Sequence, residues 1–137
     1  MKNIINTYQI PWKTSGYEDS YLDGKIHQHK VKVADYVKRE KNIESAESEI
    51  QHIGAYEYAP GGWISEHIHS NAEQWYYILE GKAVMKVGSE ESISNKGSLI
   101  FIPRNTVHSY KVVGDKPLKI LNVATFFPGI DSITTII

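Results

Sequence analysis

Short runs of β-branched and aromatic residues alternate with turn residues over residues 54–128. The apolar runs are residues 75–79, 83–87, 99–102 and 118–123. Stretches that contain Gly, Pro, Asn or Asp separate them, and no helical period of apolar positions runs through this part of the chain. Strands spaced about 8–12 residues apart with turns between them predict an all-β fold, an antiparallel sandwich or barrel.

The first 48 residues have a different pattern. Polar and apolar positions alternate over residues 26–33, which predicts a half-buried strand with His27 and His29 on one face. Both histidines are expected at the surface, and the alternative is an arm that reaches the barrel mouth. Eight charged residues among the fifteen of residues 35–49 then predict a solvated loop or a short surface helix.

These patterns divide one domain into three parts. Residues 1–48 are expected to form an N-terminal extension, residues 49–128 the barrel, and residues 129–137 a tail of the same domain. Four Ile residues lie in the last eight positions, and such a strand would aggregate if its edge were bare. We therefore expect a covering partner, in the form of a homodimer.

Composition restricts the possible partners and ligands. The chain has 137 residues, with 15 Lys and Arg against 16 Asp and Glu, so charge gives no reason to expect nucleic acid or a membrane as partner. No apolar run approaches the roughly 20 residues of a membrane helix. The absence of Cys excludes disulfides and thiolate ligands. A cytoplasmic domain with a small-molecule partner is the expected class.

Histidines at metal-ligand spacing are the strongest chemical signal in the sequence. His67 and His69 are two residues apart, so on a strand both imidazoles point the same way. Glu73 or Gln74 follows after a polar turn and offers an oxygen, and His108 opens another predicted strand. Three imidazoles and one oxygen suit a first-row divalent metal.

At these positions the sequence resembles the cupin superfamily over about residues 54–128. The first cupin motif, Gly-x5-His-x-His-x3–4-Glu-x6-Gly, is matched by Gly61, His67, His69 and Gly81. The second motif, Gly-x5-Pro-x-Gly-x2-His-x3-Asn, is matched by Gly97, Pro103 and His108. Asn105 and Val112 replace its second Gly and its Asn. Asn is the mildest replacement, because it tolerates positive φ.

The resemblance implies a jelly-roll barrel, also called a double-stranded β-helix, that holds one divalent metal. The implied ligands are His67, His69, His108 and the residue in the Glu position. Counting from His69 permits Glu73 or Gln74, whereas counting back from Gly81 selects Gln74, which strand parity also favours. The ligand set does not distinguish Mn, Fe, Co, Ni, Cu and Zn.

Residues that share the ligands' face are expected to line a substrate pocket. They are Tyr76, Ile78, Tyr110 and Val112, with Tyr56, Tyr58, Trp63 and Phe126 as further candidates. Rings that also carry hydroxyls suit a small polar organic molecule. The expected function is a metal-dependent enzyme, such as one that isomerises or opens the ring of a sugar acid. An Fe-dependent dioxygenase and a non-catalytic cupin that binds a small ligand are the alternatives.

Overall fold

The computed structural model describes residues 4–14, 19–38, 50–127 and 134–137. These residues contain a 3-10 turn at Thr7–Gln9 and ten strands, and they contain no α-helix, so the all-β prediction is confirmed. The strands are β1 Ser20–Leu22, β2 Lys25–Val37, β3 His52–His69, β4 Ala72–Glu80, β5 Lys82–Val87, β6 Glu90–Asn95, β7 Leu99–Ile102, β8 His108–Val112, β9 Leu118–Phe126 and β10 Thr134–Ile136. No described helix is long and apolar enough to cross a membrane.

Strand β3 organises the sheet, whose order is β6-β5-β8-β3-β9-β4-β7 with antiparallel pairing. Its first half pairs with β9 on one edge, and its second half pairs with β8. On the other edge, β2 is followed by β10. The strand changes partners near Gly61 and Gly62, where a Cβ on Gly62 would lie 2.9 Å from two carbonyl oxygens. The antiparallel sheet thereby curls into a barrel.

Alternating side chains separate the inside of the barrel from its surface. On β4, residues Gln74, Tyr76 and Ile78 are buried, whereas Trp75 and Tyr77 between them are exposed. Strand β9 alternates in the same way, with its buried positions beginning at Leu118. Burial of these inward-facing apolar side chains is the main source of stability, because apolar surface removed from water contributes about 25 cal/mol per Å².

The N-terminal strand belongs to the same sheet as the barrel strands. The strand expected at residues 26–33 lies within β2, and its Val31 and Ala34 are 0% and 1% exposed. The prediction of a loop or short helix from Asp35 onward is wrong for its first three residues, because β2 continues to Val37. Residues 39–49 lie outside the described part of the chain. The division of the chain at residue 48 stays a prediction.

The end of the chain returns to β3. Strand β10 pairs with residues 67–69, so one edge of this Ile-containing segment is covered by its own barrel. Residues 128–133 lie outside the described part of the chain. Homodimer formation stays a prediction.

The turn between β4 and β5 gives a test of the packing. Gly81 has φ +79°, and an added Cβ would lie 2.3 Å from the carbonyl oxygen of Pro117. We expect Gly81→Ala to lower the free energy of unfolding by about 3–5 kcal/mol, from backbone strain and overpacking together. Gly97→Ala is the matched control, because φ is +91° but no atom lies within 4 Å of the new Cβ. It should cost about 1–2 kcal/mol. If urea unfolding showed that the two variants lose the same free energy of unfolding, the clash at Gly81 would be contradicted.

Candidate metal centre

Three histidines from two strands meet inside the barrel. His67 and His69 project from one face of β3, and His108, the first residue of β8, lies directly opposite His67 in the register of the two strands. The candidate ligand atoms of the three residues all lie within 4.8 Å of one another. Ring centroids are 3.9 Å apart for His67 and His108, and 4.8 Å apart for His67 and His69. We call these residues the histidine triad.

The turn before β8 holds the second motif against the first. Asn105 adopts φ +61°, which confirms that this residue takes the left-handed conformation expected of the Gly it replaces. Its backbone N–H donates to the carbonyl oxygen of His69 at 2.9 Å. The chain that delivers His108 is therefore tied directly to the strand that carries the other two imidazoles.

Each triad imidazole uses Nδ1 for a hydrogen bond within the protein. The Nδ1–H of His67 donates to the Ser65 carbonyl oxygen at 2.7 Å, and that of His108 donates to the Thr106 carbonyl oxygen at 2.9 Å. Because a carbonyl can only accept, the proton is on Nδ1 and the lone pair is on Nε2. Nδ1 of His69 lies 2.8 Å from the Thr134 hydroxyl. These are the second contacts that metal-binding histidines ordinarily make.

Burial keeps the triad neutral. It lowers the pKa of His67 to about 2, with help from the neighbouring His108, and lowers the pKa of His69 and of His108 to about 4. Nε2 of His108 is buried and has no hydrogen-bond partner. Buried nitrogens of this kind normally have a partner. A divalent metal fits the site, since neutral imidazoles with free lone pairs are what it needs as ligands.

The two candidates for a fourth ligand lie on opposite faces of β4. Gln74 is buried on the inward side with Tyr76, whose hydroxyl donates to the Gln74 side-chain oxygen at 3.2 Å. Glu73 falls on the other side by strand alternation and is half-buried. This placement agrees with the parity argument for Gln74, and its role as a ligand stays a prediction.

The four residues first proposed for the pocket, Tyr76, Ile78, Tyr110 and Val112, are all buried and belong to the packed core. Tyr110 begins a chain of hydrogen bonds, in which its hydroxyl donates to Tyr58 at 3.0 Å and the Tyr58 hydroxyl donates to Gln28 at 3.2 Å. Burial raises the pKa of Tyr58, Tyr76 and Tyr110 well above the usual value. These phenols are therefore neutral hydrogen-bonding groups at neutral pH.

The remaining pocket candidates are more peripheral. Tyr56 is half-buried and accepts a hydrogen bond from Asn122 at 3.3 Å, and burial raises its pKa to about 12. Trp63 stacks on His29 with ring centroids 5.7 Å apart. Trp63 and Tyr110 line a groove of about 340 Å³ that no triad histidine lines. A role in substrate binding stays a prediction for all of these residues.

Two residues near the triad were missed or misplaced from the sequence. Thr134 is 65 residues from His69 and lies in a tail without a recognisable motif. His27 was expected at the surface, and this is wrong, because its ring packs edge-on against His67 with centroids 4.7 Å apart. The His-x-His spacing of residues 27–29, which repeats that of residues 67–69, was the signal that could have indicated this position of His27. The other histidine of the pair, His29, does not join the triad and pairs with Asp19.

The hydroxyl of Thr134 gives a test of how the triad is oriented. We expect Thr134→Val to weaken Zn²⁺ binding by roughly 10–100-fold, because His69 loses the contact that fixes its ring. Thr134→Ser should retain most of the affinity. Thr135→Val is the matched control on the exposed side of the same strand. Competition with a chelator measures the affinity, and equal effects at the two positions would contradict this role.

Depressed pKa values also predict how the stability of the metal-free protein depends on pH. Below about pH 6.5 the three histidines become protonated in the unfolded chain, whereas in the folded protein they stay neutral. The free energy of unfolding should therefore fall as the pH drops from 6.5 toward 4, by up to about 1.4 kcal/mol per pH unit for each histidine. His67→Asn should make this fall less steep in urea unfolding between pH 7.5 and 4.5. An unchanged slope would show that His67 is not held neutral by the fold.

Comparison with known proteins places the chain in a family. The family model described as "Cupin domain" matches residues 54–124, just over half of the chain. The polyketide synthase protein TcmJ from Streptomyces glaucescens is 29% identical over 69 residues, which are 50% of this chain and 46% of that protein. Quercetin 2,3-dioxygenase from Bacillus subtilis is 36% identical over 52 residues, which are 38% of this chain and 15% of that enzyme. The chain therefore spans less than half the length of these curated relatives.

A solved structure agrees with this family at the level of fold. The polyketide cyclase RemF from Streptomyces resistomycificus superimposes with a TM-score of 0.73 at 14% identity, covering 100% of this chain and 86% of RemF. At such low identity the likeness concerns the fold alone. The family match includes all three histidines of the triad, most of β3 and all of β8. This protein belongs to the cupin family.

Proposed function

We propose that this protein is a metal-dependent enzyme that acts on a small organic molecule. In this proposal the histidine triad holds one divalent transition metal, and Gln74 supplies a further oxygen. The observation that carries the proposal is the arrangement of three buried imidazoles, whose ligand atoms lie within 4.8 Å of one another. Two of them have Nδ1 committed to a backbone carbonyl, which leaves Nε2 free for a metal.

The charge of the site favours Lewis-acid chemistry. Within the described parts of the chain, no Asp or Glu oxygen belongs to the triad's group of atoms, and Gln74 is neutral. Because all these donors are uncharged, a bound divalent metal would keep its full charge, polarise a carbonyl and stabilise an oxyanion.

The substrate class follows from the same chemistry. A small molecule with two neighbouring oxygens, such as a hydroxyketone, a 1,3-diketone or a sugar acid, can present both oxygens to one metal. The names of the two curated relatives mention a polyketide synthase and quercetin, which supports an oxygen-containing organic substrate. Isomerisation or ring opening by movement of a proton next to a carbonyl is the proposed reaction.

A second candidate, an Fe-dependent dioxygenase, is favoured by one specific observation. The B. subtilis relative is a dioxygenase and is 36% identical over the matched 52 residues. Three histidines with open coordination positions also suit Fe(II) and O₂. The dioxygenase would consume O₂ and the isomerase would not, so a measurement of oxygen uptake can separate the two candidates.

Metal content tests the site itself. We expect untagged protein to hold about one divalent metal per chain, and His67→Ala and His108→Ala to reduce this to background by elemental analysis. His52→Ala is the matched control, because His52 lies at the far end of β3. If neither triad variant loses metal, the site is misplaced.

Turnover tests the chemistry. Protein reloaded with each candidate metal would be incubated in D₂O with a hydroxyketone, a 1,3-diketone, a uronic acid and quercetin. We expect exchange of the proton next to the carbonyl, or isomerised product, in NMR spectra, with no oxygen consumed. Oxygen uptake that requires Fe(II) would instead support the dioxygenase. Tight binding without turnover for every metal would contradict both and support a binding protein.

A further inference from the structure

A fourth histidine lies against the triad and comes from outside the two cupin motifs. His27 is the third residue of β2, and its ring meets that of His67 at an interplanar angle of 88° with centroids 4.7 Å apart. Its influence extends to the whole triad. Burial is the main cause of the low pKa of each triad histidine, and His27 lowers all three further.

His27 differs from the triad histidines in the state of its Nδ1. Those residues bond Nδ1 to a carbonyl or a hydroxyl, whereas Nδ1 of His27 is buried and has no hydrogen-bond partner. A buried imidazole nitrogen without a partner costs free energy. Metal coordination would remove that cost, because the lone pair would then be used.

The other polar groups near this position are already engaged. His29, two residues along β2, pairs with Asp19 and stacks on Trp63. Gln28, between the two histidines, accepts a hydrogen bond from the Tyr58 hydroxyl. His27 is therefore the residue of this segment that the fold leaves facing the triad with an uncommitted nitrogen.

We propose that His27 is a fourth imidazole ligand of the metal centre, supplied by β2. This inference rests on the proposed function, since it requires the triad to bind metal. His27 lies outside the group of atoms within 4.8 Å, so coordination would require its side chain to move toward the triad. Gln74, whose oxygen also accepts a hydrogen bond from Tyr76, would supply its oxygen at a further coordination position, as in the proposed function.

A set of four imidazoles would also narrow the choice of metal. Imidazole suits Zn, Cu, Fe and Ni, whereas Mn and Mg prefer oxygen ligands. A site with His27 should therefore discriminate against Mn²⁺ more strongly than three histidines and an amide oxygen would.

Cobalt binding tests this assignment, because the visible spectrum of Co²⁺ reports the number and type of its ligands. Metal-free wild-type protein and the variants His27→Ala, His27→Phe and Gln74→Ala would be titrated with Co²⁺. We expect both His27 variants to weaken binding by at least roughly tenfold and to shift the absorption bands. His27→Phe keeps a ring against His67, so loss of packing does not explain a shared effect. His29→Ala is the matched control on β2 and should leave affinity and spectrum unchanged.

Two other results would overturn the assignment, and a further variant shows which proposal has failed. A wild-type affinity and spectrum in both His27 variants would overturn it. So would a change of spectrum in Gln74→Ala but in neither His27 variant. If His67→Ala abolishes Co²⁺ binding in either case, the metal centre stands and only the role of His27 is wrong. If His67→Ala binds Co²⁺ like wild type, the proposed function fails, and the assignment of His27 fails with it.

Discussion

The register between β3 and β8 is the constraint on which the candidate site depends. It places His67 directly opposite His108, although 41 positions of sequence separate them. A shift of one residue would turn every side chain of one strand to the other face of the sheet and remove an imidazole from the cluster. The buried apolar positions of the same strands, such as Ile64 and Tyr110, hold the register, because a slip would expose them to water. The core and the site therefore depend on the same pairing.

Burial of the triad lowers the stability of the fold. Neutral histidines packed together in a nonpolar interior lose hydration, and the unpartnered Nε2 of His108 adds to that loss. The Nδ1 hydrogen bonds to Ser65 and Thr106 offset part of it and fix the side of each ring that carries the lone pair. Most other inward-facing residues of the barrel are apolar, and a costly polar cluster in such a core is the pattern expected of a functional site.

Local patterns in the sequence predicted much of the fold and the main part of the site. Alternation and turn residues were sufficient for the strands, and parity counted from Gly81 correctly placed Gln74 inward and Glu73 outward. The positive φ of Asn105 was expected because this residue stands where the second cupin motif has Gly, and Asn tolerates that conformation. Each of these inferences uses positions close together in sequence, where backbone geometry limits the possibilities.

The surroundings of His27 and Thr134 could not be predicted in this way, because tertiary pairing decides them. Alternation over residues 26–33 put His27 on the same face as Val31, but the pairing of β2 with β3 is irregular between His29 and Val31, and Lys30 adopts φ +57°. Beyond that irregularity, simple parity no longer reports what a side chain contacts.

Both ends of the described chain converge on the same stretch of β3. Strand β2 pairs with Trp63 and Ile64 on the edge opposite β8, and β10 continues that edge along His67 and His69. The N-terminal strand thereby brings His27 to the triad, and the C-terminal strand brings Thr134 to Nδ1 of His69. Segments outside the two cupin motifs thus complete the surroundings of the histidines within them. In this chain a single substitution in β2 or β10 would therefore change the surroundings of the triad without altering either motif.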